Sequence, residues 1–396
     1  MHILIAPDSY KGSLTARQVC DILAQALLTH PGVTVATLPL SDGGEGFGTC
    51  CVDACNGDIL YTNAVDLYGN TIQAPLYTWG DTALIECAAT CALQTKKDIM
   101  AASSYGVGMQ LKNAIDLGFH HFIIGLGGSG MCDGGAGALA ALGVAFYDRN
   151  GTSIPHPTGG DLQRIERLQI PSDFQHCVKG MHFTYACDVT NPYTGENGAA
   201  AVFGPQKGAT PAQVQLLNNG MAHLAALLPN AVRALPGAGA AGGLCGGLYG
   251  VLGGSTQSGF DLLAALADLD SAIAGADLVI TGEGRTDRQT LMGKLPYQVA
   301  QRAKKLGKRC VVISGDGDGT LVGDKVITLT DKDTPPRAAI AHAAALLAEK
   351  ADLLLQKYVF NIIIKYILWA MPGIGEQYES QTSQTQRVFD QICRRL

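Results

Sequence analysis

A chain of 396 residues and 41.3 kDa has room for about two domains of ~100 to 200 residues each. Hydrophobic residues make up 47%, enough for a large core, while 16% charged residues and a net charge of -6 exclude the basic stripe a nucleic-acid surface needs. The 12 cysteines include no Cys-x-x-Cys pair, which predicts reduced, mostly buried thiols in a cytoplasmic protein rather than a zinc site or a disulfide framework.

Ile3 to Ala6 reads as a first strand, with no signal peptide before it, and Pro7 to Ser13 as the loop at its end. Ser13 or Thr15 caps a helix carrying Val19, Ile22, Leu23, Ala26 and Leu27 at helical spacing. Val33 to Leu38 gives a second strand, ending in Ser41-Asp-Gly-Gly-Glu-Gly46. Residues 51 to 95 differ: short alternating stretches between Gly-Asn and Gly-Asp turns predict strands of a smaller subdomain. Phe122 to Ile124 reads as a third core strand, followed by Gly125-Leu-Gly-Gly-Ser-Gly130 and Asp133-Gly-Gly-Ala-Gly137.

The pattern loosens from Val144 to Gly259, then resumes with Leu278-Val-Ile280 as a buried strand and Thr281 to Asp287 as a charged turn beyond it. The expected architecture is α/β, with a discontinuous, mainly parallel-sheet domain from 1–50, 96–143 and 260–357. A second domain from 51–95 and 144–259 is inserted into it. Residues 358–396 read as an atypical tail; its apolar stretch, interrupted by Asn361 and Lys365, is too short to span a membrane.

Gly125-x-Gly127-x-x-Gly130 matches the dinucleotide fingerprint, with Asp148 at about the right distance for a ribose. Gly237-x-Gly239-x-x-Gly242 matches as well, so the pattern is cheap in a chain with 50 glycines, and an NAD-dependent oxidoreductase is only a rival reading. Phosphoryl transfer needs amides and cations around phosphates, carboxylates for Mg²⁺ and an acceptor for the hydroxyl proton. Strand ends offer all of these: Gly127, Gly128 and Ser129 as a cradle, Lys11, Lys207, Arg285 and Lys294 as cations, and Asp42, Glu45, Asp188, Glu283 and Asp287 as acids. Each has a plainer reading. Lys11 and Ser13 can serve a helix cap, Asp42 and Glu45 a turn, Asp188 and Asn191 an Asx-turn before Pro192, and Lys207 and Lys294 an exposed surface.

Seven ordered blocks resemble the type I glycerate kinase family: Ile5 to Leu14, Ser41 to Gly46, Gly127 to Ser129 with Asp133 to Gly137, Ala186 to Pro192, Phe203 to Ala209, Pro236 to Gly243, and Leu278 to Asp287 with Gly293-Lys294. The resemblance covers residues 1 to about 355. It implies ATP-dependent phosphorylation of D-glycerate, at the 2-hydroxyl, with Mg²⁺, and two α/β domains with the active site in the cleft between them. Alternatives are a glycerate 3-kinase, a kinase of a related hydroxy acid, and a non-catalytic nucleotide-binding descendant. Under the resemblance, Glu283 and Asp287 lie near the metal, and Arg285 and Lys11 on carboxylate or phosphate. Asp188 or Asp42 is the base, with Glu45 and Asn191 beside it, and the Gly127 loop with Asp133, Lys207 and Lys294 faces ATP. The family's Ala-Thr-Asn before the aspartate is Gly130-Met131-Cys132 here, and an acid is lost at Met109.

Overall fold

A computed structural model describes residues 1–370 except 45, 96, 233 and 234, with side chains to residue 356. The strands are β1 (His2–Ile5), β2 (Thr34–Thr37), β3 (Asp58–Val65), β4 (Thr71–Trp79), β5 (Thr82–Glu86), β6 (His121–Gly125), β7 (Ala145–Tyr147), β8 (Arg167–Gln169), β9 (His182–Ala186), β10 (Ser255–Gln257), β11 (Leu278–Thr286), β12 (Arg309–Gly317) and β13 (Lys325–Thr328). They form a five-stranded sheet of order β13-β12-β11-β1-β2, a six-stranded sheet of order β10-β9-β6-β5-β4-β3, and a β7-β8 hairpin.

Every pairing in the first sheet is parallel. In the second, β10, β9, β6 and β5 run parallel, and β4 and β3 add an antiparallel edge. The α/β expectation therefore holds. One strand moves, however: Phe122 to Ile124, read as part of the first sheet, pairs with β5 and β9 in the second. A continuous apolar run marks a buried parallel strand but carries no address, and both sheets contain such runs.

The apolar residues sort into layers. One core lies between the sheets: Leu4, Val279 and Val312 from the first and Leu84, Ile123 and Ala186 from the second close on Phe47 and Cys51 of the helix Phe47–Cys55 and on Phe260 and Leu263 of the helix Gly259–Leu266. A second core covers the outer face of the five-stranded sheet, where Val19 and Leu23 of the helix Ala16–Leu27 meet Leu347 and Leu354 of the helix Ala343–Ala370. Of the two cap candidates, Thr15 takes the position. Its side chain accepts from the Gln18 amide while Gln18 bonds back to the Thr15 amide, a reciprocal box that satisfies two otherwise unpaired donors.

The helix Ala343–Ala370 continues unbroken past residue 358, where the sequence placed a boundary; residues 371–396 of the expected tail lie outside the described residues. Among the described residues, no helix is long and apolar enough to cross a membrane.

Candidate active site

The carboxyl ends of the parallel strands in the two sheets face one another, where open α/β sheets take ligands. Loops after β1 and β2, the distal half of β11, and loops after β6 and β9 supply the walls. Of the cavities that open there, two share part of their lining. The first, about 390 Å³, has Glu283, Arg285, Lys294 and Asp316 at one side and Leu329, Ala339, Ile340 and Ala343 at the other. The second, about 340 Å³, is bounded by Gly127, Gly128, Ser129, Asp188 and Lys207. Lys11 and Asp42 line both.

Residues 281–286 are strand rather than turn: β11 stays paired with β12 as far as Thr286 opposite Gly317. Gly282 and Gly284 are there for close packing. A Cβ on Gly282 would meet the Ile313 carbonyl at 2.1 Å and the Tyr10 hydroxyl at 2.8 Å, so the loop after β1 can lie directly on the strand. The Tyr10 hydroxyl donates to the Ile313 carbonyl at 2.6 Å, and the Asp8 amide donates to the Gly282 carbonyl at 2.9 Å.

Glu283 and Arg285, two residues apart, share the opposite face. Glu283 is 7% exposed and accepts from Thr290 Oγ1 at 2.6 Å; burial raises its carboxyl above the ordinary range. Lys294 Nζ stands 3.8 Å from Glu283 and 3.6 Å from Asp287.

The loop after β6 meets the loop after β2 through backbone alone. A Cβ on Gly127 would come within 2.7 Å of both the Gly43 carbonyl and the Gly44 Cα. Behind this contact, Lys207 is only 3% exposed and donates to Ser129 Oγ at 2.9 Å and to the Met131 carbonyl at 2.8 Å. Burial pulls the ammonium below its usual value, opposed by nearby Cys132, Cys87 and Asp133.

The glycerate kinase family model matches residues 3–358. The chain belongs to the glycerate kinase family. It is 37% identical to the glycerate kinase of Bacillus subtilis (strain 168), over 89% of this chain and 96% of that one. To the glycerate 2-kinase of Escherichia coli (strain K12) it is 38% identical, over 80% and 85%. A crystal structure from Salmonella typhimurium LT2, described as a candidate glycerate kinase 2, superimposes with a TM-score of 0.80 at 36% identity, covering 91% of this chain and 99% of that one. The protein is thus an enzyme, a kinase.

In this kinase Lys11, Asp42, Asp188, Arg285, Lys294, Glu283, Gly127, Gly128, Ser129 and Lys207 all reach the cavities. Three of the sequence expectations fall on groups that already have partners in the structure. Asp133 is fully buried and takes four hydrogen bonds, from the Ser104 amide and hydroxyl (both 2.7 Å) and the Gly135 and Gly137 amides (both 3.1 Å), so it ties loops together instead of touching a nucleotide. Asn191 spends its amide on the Asn197 carbonyl at 2.9 Å, the loop-fixing alternative. Glu283 and Asp287 share the Lys294 ammonium, at 3.8 and 3.6 Å. Glu45 lies outside the described residues. The dinucleotide rival loses its supports, because no helix starts until Ala136 and Asp148 bonds the amides of its own turn at Asn150 and Thr152.

Sequence reasoning missed Asp8. It is 9% exposed, and its carboxyl is pushed up to about 7, by burial first and by the Asp42 charge second. Asp188 is likewise raised, again by burial first, with Asp42 contributing and the Gly259 amide donating to it at 3.1 Å. Asp8 has no local signal beyond its place between a strand and Lys11, since only the folded chain shows what it faces.

Proposed function

We propose that this kinase transfers the terminal phosphoryl group of ATP to the 2-hydroxyl of D-glycerate, giving ADP and 2-phosphoglycerate. The observation that carries the reading is the pair of adjoining cavities with Lys11 and Asp42 at their junction. A three-carbon acid has no use for an apolar wall. A purine does, and Ile340, 55% exposed in the first cavity, is a surface that a base would cover. The phosphates then run past Arg285 and Lys294 towards the junction, and the acid occupies the second cavity, beside Ser129 and Lys207.

At the junction Lys11 offsets charge on the moving phosphoryl group, and Asp42 takes the proton of the attacking hydroxyl. Asp42 suits this role better than Asp188 because it borders both cavities and Asp188 is partly held by the Gly259 amide.

Mg²⁺ fits this donor set in a restricted way. No group of three or more His, Cys, Asp or Glu side chains among the described residues could cage an ion. Mg²⁺ bound to nucleotide needs only one or two carboxylates besides phosphate and water. Asp42 with Asp8 or Asp188, whose carboxyls are raised partly by Asp42, would hold it better than the Lys294-bridged Glu283 and Asp287. When bound, the ion would neutralise phosphate charge.

The test is ADP release with D-glycerate, ATP and Mg²⁺, followed by NMR of the product. The reading expects D-glycerate-dependent turnover and 2-phosphoglycerate. Formation of 3-phosphoglycerate would move the transfer to the other hydroxyl, and absence of turnover would overturn the substrate.

A further inference from the structure

Lys207 is an unusual group to find so deeply placed. An ammonium removed from water is costly unless an anion or a full set of acceptors meets it. Here two of its three donors go to neutral oxygens, Ser129 Oγ and the Met131 carbonyl. Asp133, an acid that acts on it, has its own oxygens committed to four other donors. That leaves one ammonium donor beyond these two bonds, and Lys207 borders the second cavity together with Ser129.

The direction of the Lys207–Ser129 hydrogen bond matters. An ammonium has donors and no acceptor, so Ser129 Oγ must accept from it and cannot donate to it. The serine's own hydrogen has to point elsewhere. Ser129 is half-buried in the loop after β6, which is pinned on both sides: the Leu93 amide donates to the Gly128 carbonyl at 2.9 Å, and the Gly130 amide to the Cys91 carbonyl at 2.7 Å. The loop backbone thus holds the Ser129 side chain at the edge of the cavity it borders, where its hydroxyl can turn towards a ligand.

We propose that Lys207 and Ser129 form the seat for the carboxylate of the hydroxy-acid substrate, Lys207 supplying the charge and fixing Ser129 as a hydrogen-bond donor into the second cavity. This rests on the functional reading above and deepens it by assigning the acid end of the substrate to the six-stranded sheet. Lys207 acts as a positioning residue through Ser129 and as a source of positive charge; Ser129 makes the contact. A nucleotide phosphate is the other anion that could be drawn to this pair, and the experiment separates the two.

Wild-type turnover of D-glycerate is measured first, since its absence would sink the functional reading by itself. Lys207→Met, Ser129→Ala and Ser129→Thr are then compared in steady-state kinetics with each substrate varied in turn. The expected result is a rise in KM for D-glycerate of about 100-fold for Lys207→Met and about 10-fold for Ser129→Ala, with KM for ATP within about 2-fold of wild type. Ser129→Thr, which keeps a hydroxyl, restores most of the loss.

As a second measurement, D-glyceramide is titrated as an uncharged competitor. The wild-type enzyme prefers the acid to the amide by at least about 100-fold, and Lys207→Met brings that ratio close to one, because each change removes the same interaction. If Lys207→Met does not fold, as thermal melting will report, Ser129→Ala and Ser129→Thr decide the matter. A KM increase confined to ATP would assign the pair to a phosphate, and unchanged constants in the variants would leave it structural; either result overturns the proposal.

Discussion

The two walls of the cleft hold their charges in opposite ways. On the wall built by the five-stranded sheet, Lys294 and Arg285 face Glu283, Asp287 and Asp316 through contacts of 3.6, 3.8, 3.9 and 4.0 Å. All are longer than a good hydrogen bond, and Arg285 is exposed. The exposed pairs of Arg285 are worth about 0–1 kcal/mol each and exchange readily for a ligand. On the opposite wall the polar groups are buried and closely paired. Lys207 bonds Ser129 and Met131, and Asp133 bonds Ser104, Gly135 and Gly137, at 2.7 to 3.1 Å. One wall can rearrange around a mobile polyphosphate; the other is set before anything binds.

Replacement at the junction where the walls meet should have the largest effect. Asp42→Asn is expected to lower kcat about 1,000-fold while the melting temperature changes little. A loss below 10-fold would remove Asp42 from proton transfer.

The next effect concerns pH. The Asp8 carboxyl is raised to about 7, above the value near 4 of an unfolded aspartate, so the native state holds the proton longer. The associated stability is complete below about pH 4 and is lost as pH climbs to about 7. Asp8→Asn escapes that loss, and its melting temperature should pull ahead of wild type across this interval, by the equivalent of a few kcal/mol, then keep a constant lead. A gap independent of pH would show that Asp8 is not so perturbed.

On the preformed wall, Asp133→Ala strands four buried donors and should cost about 3 kcal/mol in chemical denaturation. A variant as stable as wild type would mean water takes over those donors. The mildest change is on the adaptable wall: Arg285→Ala should raise KM for ATP about 10-fold and leave stability within about 0.5 kcal/mol.

How much of this could be read from the chain depends on the scale of the signal. Strand, loop and helix were legible for residues 3 to 27 because a buried apolar run, a capping hydroxyl and helical spacing are all local. Nothing local distinguishes a strand of one sheet from a strand of the other, so β6 went to the wrong neighbour. The glycines at 282 and 284 suggested a turn, since glycine permits one. Their reason is the Tyr10 side chain and the loop carrying it, which arrive from more than 270 residues earlier in the chain. Charged residues near strand ends were found easily, but their tasks were not. Asp133 looked like a ligand contact until its four donors were visible, and Asp8 drew no notice until burial and Asp42 were seen together.

Because Glu283 and Arg285 sit on a continuous strand, their separation is set by the ladder at roughly 6.6 Å and cannot drift. Removing or adding one residue between Gly282 and Thr286 would turn one of the pair to the Tyr10 side and drive a side chain into a space that admits none. Homologous chains should therefore keep the length of this segment of β11 fixed, and only substitution is open to them there.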